Sequence, residues 1–151
     1  MVTALLAAPG LDVNAADGYG YTALMDAAAG GHTNTVTALL AAPGLDVNAA
    51  DGYGWTALMR AAFVGHTETV TLLLAAPAGL DVNAVNDAKD TALMQAAEGG
   101  HTETVRALLA APGLDVNAAD GGVGQTALTL AEGQGHVGIV SLVRARRRRS
   151  L

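Results

Sequence analysis

A chain of 151 residues, 51% of them hydrophobic, is long enough for one compact domain or a short stack of units, and too apolar to be intrinsically disordered. Its apolar residues are mostly Ala, Leu and Val with only five aromatics, so the core must be thin and built from small side chains. The absence of cysteine excludes disulfides, thiolate metal sites and a cysteine nucleophile, and the net charge of −6 disfavours binding to phosphate or anionic lipid over most of the chain.

In chain order, residues 1–13 have no charged n-region and Pro9 interrupts their apolar run, so they do not form a signal peptide. No later stretch is apolar for long enough to span a bilayer. A soluble cytoplasmic protein is expected, with the nucleus as the alternative compartment. Residues 2–8 read as a short helix stopped by Pro9-Gly10. Leu11-Asp12-Val13-Asn14 then extends into Asp17-Gly18-Tyr19-Gly20, a turn rich in Gly and Asp. Thr22 is placed to N-cap a helix carrying Leu24, Ala27 and Ala28, which Gly30-Gly31 ends. Thr33 is placed to cap a second helix with Val36, Leu39 and Leu40 on one face, stopped by Pro43-Gly44.

The same succession then returns. Thr-Ala-Leu recurs at Thr22, Thr56, Thr91 and Thr126, in steps of 34, 35 and 35 residues. Gly-His recurs in the same steps at His32, His66, His101 and His136, and Leu-Asp-Val-Asn recurs with Asn14, Asn48, Asn83 and Asn117. Three markers in register define a half unit at 1–16, units at 17–50, 51–85 and 86–119, and a last unit at 120–143. Helices this short are marginal alone, since isolated ones need roughly 12–15 residues. Stacking on neighbours must hold them, as in a solenoid. The half unit lacks a preceding helix, which leads us to expect a fragment of a longer array or a shortened one.

The second unit, with Asp51, Gly54, Thr56-Ala57-Leu58, Ala61-Ala62, Gly65-His66, Val70, Leu73-Leu74 and Asp81-Val82-Asn83, resembles the ankyrin repeat. The resemblance extends from Met1 to about Val143. It implies an all-α fold, a solenoid of stacked helix-turn-helix units with hairpin loops. It further implies that each Gly-His histidine begins a second helix and ties loops together. Partners are then expected on the concave groove and the hairpin tips, and the Asn of Asp-Val-Asn is a hydroxylation position. Three departures stand out. Ala replaces the usual Pro, and Met the usual His, in Thr-Ala-Leu-Met, removing an expected side-chain hydrogen bond. The loops at 41–44 and 75–79 are longer than the pattern. An extra residue sits within 121–124.

Catalytic constellations are not found. The four histidines stand one layer apart, on the order of 10 Å, too far for one metal ion to bridge. Gly-x-Ser-x-Gly is absent, and the only serines are Ser141 and Ser150. The aspartates fall at turns, and the glycine-rich turns lack the Lys-Ser/Thr of a phosphate loop. Neither an enzyme nor a cofactor is expected.

The informative positions are those that vary between otherwise similar units. They nominate a partner-binding set of Tyr19, Tyr21, Asp26, Tyr53, Trp55, Arg60, Phe63, Val64, Asp87, Asp90, Gln95 and Glu98. All five aromatics of the chain belong to it, and aromatics and Arg are enriched in binding hot spots. The third unit adds acidity through Asp87, Asp90 and Glu98. A protein with an apolar anchor beside Lys or Arg would suit such a surface. No small-molecule substrate and no membrane are implied.

The chain closes on Arg144, Arg146, Arg147, Arg148 and Arg149, which hold five of its eight basic charges. Without them, three basic residues face 14 acidic ones, a net −11. Residues 144–151 are expected to be a disordered tail. Its arginines Arg146, Arg147, Arg148 and Arg149 are the one place where nuclear import, nucleic acid or anionic lipid enters as an alternative. A scaffold with no partner of its own is the other alternative.

Overall fold

The computed structural model describes residues 5–76 and 79–150. Residues 2–4 of the expected first helix lie outside these; Leu5 and Leu6 are helical. Eight helices follow among the described residues: α1 (Ala23–Ala29), α2 (Thr33–Leu40), α3 (Ala57–Val64), α4 (Thr67–Leu74), α5 (Ala92–Glu98), α6 (Thr102–Leu109), α7 (Ala127–Gly133) and α8 (Val137–Arg149).

Each unit's first helix begins where the Thr side chain can satisfy an orphan amide. The Oγ1 atoms of Thr22, Thr56, Thr91 and Thr126 accept from the amides of Met25, Met59, Met94 and Thr129 at 3.3–3.4 Å. The expected loss of a side-chain hydrogen bond at this corner is only partial. In the third unit the Met94 sulfur accepts from the Thr91 amide at 3.5 Å, and in the last the Thr129 hydroxyl accepts from the Thr126 amide at 2.8 Å. A thioether is a weak acceptor, but it closes the same reciprocal cap.

His32, not the expected Thr33, is the N-cap of α2, because Thr33 already lies inside the helix as its first residue; His66, His101 and His136 hold the same place in the other second helices. Their rings reach back one unit: Nε2 of His66, His101 and His136 bonds the carbonyls of Ala29, Phe63 and Glu98 at 3.1, 2.9 and 3.0 Å. A carbonyl only accepts, so Nε2 carries the proton. The ring lies so close to the preceding unit that a Cβ on Gly65 would meet His101 at 2.5 Å, and Gly65 also has φ +84°.

Layers form because neither helix of a unit can bury its apolar face alone. α1, α3, α5 and α7 stack on one another, and α2, α4, α6 and α8 form a parallel second layer. Buried alanine pairs (Ala27-Ala28, Ala61-Ala62, Ala96-Ala97) let the first helices come closer together than the second helices do. The resemblance implies that this first-helix side is the concave one. Val36, Val70, Val105 and Ile139 are fully buried equivalents in the second layer, each contributing roughly 1.5–3 kcal/mol of transfer free energy.

Two ladders of hydrogen bonds run between units. Hairpin tips are joined by the amides of Gly52, Asp87 and Gly121, donating to the carbonyls of Tyr19, Tyr53 and Ala88 at 2.8, 3.0 and 2.8 Å. At the other corner, Asn14, Asn48 and Asn83 each donate to a glycine carbonyl (Gly44, Gly79, Gly113) and accept from the amide two residues on (Asp46, Asp81, Asp115), all within 2.7–3.0 Å.

The arginine segment differs from its expectation. It is not a disordered tail: α8 continues through Arg149, thirteen residues against eight in α6. The physical reason is local. α2 and α6 run into Ala-Ala-Pro-Gly, whereas Val143 runs into Arg-Ala-Arg-Arg. Arg and Ala are strong helix formers, and cations in the last turn oppose the negative end of the helix dipole.

Candidate partner-binding surface

In every unit the residue at the start of the hairpin folds the turn around its own side chain. Asp51 Oδ1 accepts from the amides of Tyr53 (2.8 Å) and Trp55 (3.0 Å). Asp17 does the same for Tyr19 and Tyr21, and Asn86 for Ala88 and Asp90. Only in the second unit does an arginine stand opposite. Arg60, on α3, donates through Nη2 to the buried Asp51 Oδ2. Burial pushes the Asp51 carboxyl up. The amides of Trp55 and Tyr53 and the Arg60 guanidinium outweigh it and hold the group below its usual 3.8.

That ion pair fixes the guanidinium between two rings. Its central carbon lies 4.7 Å from the Tyr21 centroid and 4.9 Å from that of Trp55. Trp55 in turn meets Phe63 edge to face, centroids 5.6 Å apart at 88°. Among the described residues, Arg60 Nε is buried without a hydrogen-bond partner, while the rings cover the face of the guanidinium. Tyr21 and Trp55 are half-buried and pack against the core, which sequence variation alone did not indicate. Phe63 is 56% exposed and Val64 next to it in the chain is exposed too, while the exposed Tyr19 and Tyr53 line a separate groove at the hairpin tips. The result is a rigid shelf whose outer edge is apolar and open to solvent.

The third unit departs from expectation at one residue. Gln95, nominated as a surface contact, is only 6% exposed, and its amide donates to Asp90 Oδ2 at 3.2 Å. It positions Asp90 and leaves little surface for a partner. Asp87, Asp90 and Glu98 line one groove of about 440 Å³, together with Asp120, Gln125 and Leu130 from the last unit. Asp26 is exposed on α1.

Two contributors were absent from the sequence-based set. Asp51 looked like one more turn aspartate; the clue was that its unit alone pairs the turn Asp with an Arg nine residues on. Asp120 belongs to the groove because the hairpins stack, a proximity that no single unit displays.

A family model for ankyrin repeats (three copies) matches residues 1–86 and 76–147. The chain belongs to the ankyrin repeat family. No curated protein matches it. Ankyrin repeats generally serve as protein–protein interaction modules and are typically non-enzymatic. In this ankyrin array, no helix among the described residues is long and apolar enough to cross a membrane.

Proposed function

We propose that this ankyrin array is a non-catalytic adaptor that holds a partner protein on its concave face and hairpin tips. The supporting observation is the Tyr21–Arg60–Trp55–Phe63 stack, a pre-ordered aromatic surface beside an acidic groove. Aromatics fixed before binding lose little rotamer entropy on contact, which is why such groups act as anchors. Phe63 and Val64 would take the apolar anchor of the partner. Asp87, Asp90, Glu98 and Asp120 would take a Lys or Arg next to it, in a region whose net charge steers cations inward.

The test is affinity capture on the wild-type chain beside Phe63→Ala/Val64→Ser. Both side chains are exposed, so the variant keeps its fold. A protein retained by the wild type and lost by the variant supports the adaptor reading. Partners retained equally by both would place the binding surface away from the shelf and defeat it.

A further inference from the structure

We propose that the cleft between α6 and α8 is a second binding site, and that it takes a phosphorylated side chain of a partner protein. Arg146 and Arg149, one turn apart on α8, face Arg106 of α6 across a cavity of about 450 Å³ floored by Leu109, Ala110 and Leu142. The last turn of α8 makes this cleft, because the other second helices stop before reaching so far.

Arg146 is set before any ligand arrives. Its Nε donates to the Leu109 carbonyl at 3.1 Å, one of the orphan acceptors at the end of α6, and its Nη1 donates to Ser150 Oγ at 2.6 Å. Among the described residues, the one carboxylate within ion-pair distance of Arg106 is Glu103, at 3.5 Å with both side chains largely exposed, a geometry of little worth. Among the described residues, no carboxylate lies within ion-pair distance of Arg149. Three guanidinium groups around one cleft repel one another, and a dianion relieves that repulsion. A phosphate monoester carries about −1.5 to −2 charges at pH 7 with three acceptor oxygens, where a carboxylate brings one charge and two. The planar forks of arginine match phosphate oxygens in pairs.

The surroundings select the kind of phosphate. Residues 1–143 carry three basic and 14 acidic side chains, so an extended nucleic acid or a charged lipid surface would be repelled wherever it ran past the cleft. A single phosphate on a peptide meets the arginines and stops there. The apolar floor fits its flanking side chains.

The opposite side of α8 supplies the control. Arg147 and Arg148 line a separate cleft with Arg144, which pairs with Glu132. Fluorescence anisotropy would follow a labelled phosphoserine peptide with uncharged flanks, beside its unphosphorylated twin. Only the phosphorylated peptide should bind. Arg106→Gln/Arg149→Gln should weaken it about tenfold or more, while Arg147→Gln/Arg148→Gln, which removes the same charge, should change it little. Failure of the phosphopeptide to bind, or equal loss in the two double variants, overturns the proposal. So does tighter binding of a short single-stranded RNA or of phosphatidylserine vesicles than of the phosphopeptide. Phe63→Ala/Val64→Ser should leave phosphopeptide binding intact, which separates this site from the concave face.

Discussion

Arg60 shows how one side chain can be structural and presentational at once. It neutralises a buried carboxylate and, in the same position, spaces Tyr21 from Trp55. Arg60→Ala should lower stability by about 1–3 kcal/mol at neutral pH, since it strands the Asp51 charge. The pH dependence follows from the depressed Asp51 pKa. Its contribution is fully present above the unfolded value near 3.8 and is lost as pH falls through the lower folded value. Urea titrations should therefore find the gap between wild type and Arg60→Ala closing below that range. The neighbouring aromatics divide differently. Phe63→Ala, at an exposed edge, should fall within about 0.5 kcal/mol of wild type, while Trp55→Ala should cost on the order of 2 kcal/mol, less than a fully buried Trp. Thermal melts of the two variants check the division.

At the scale of the helix, the contacts that define a unit belong to the neighbouring unit. His101 starts α6, yet its ring is bonded to the Phe63 carbonyl at the end of α3. His101→Ala should cost about 1–2 kcal/mol through that orphaned carbonyl. Gly65→Ala should cost at least as much, because a methyl group there strikes the His101 ring and demands a strained φ. Both would be read by denaturant unfolding. α8 obeys ordinary helix rules as well. Ala145→Pro should abolish amide protection over 145–149 in hydrogen exchange while α1 to α6 keep theirs.

The elements themselves were legible in the sequence: Thr caps, Gly stops and the Gly-His marker fall where the helices begin and end. The exposure of Tyr19, Asp26, Tyr53, Phe63, Val64, Asp87 and Glu98 was legible as well, because variation between near-identical units marks positions the core does not fix. What the sequence could not display arose between units. Gln95 looked like a surface contact, but it is buried and bonded to Asp90. Arg60 looked like a partner contact, but Asp51 and two rings hold it. The arginine run looked like a solvated tail because its composition alone suggests one; the absence of a Pro-Gly stop was the contrary signal.

Over the whole molecule, charge is the quantity that no single unit balances. The acidic body repels itself, and added sodium chloride should raise the melting midpoint by screening that repulsion. A calorimetric series in salt would show the rise. Among the described residues, the main helix contacts run within a unit or between adjacent units, so damage should stay local. Ile139→Ala should expose α7 and α8 to hydrogen exchange before α1 to α4.

The asparagine ladder has a practical side. Asn14 and Asn83 each span thirty residues to their glycine carbonyl, and Asn48 spans thirty-one, yet all three grip it in the same way. Despite the extra residue in the sequence between α4 and Gly79, Asn48 keeps both bonds of the ladder, to Gly79 and to Asp81. That loop is a natural port for grafted sequence: an epitope, a tag or a second recognition loop placed there would ride on the array without resetting its pitch.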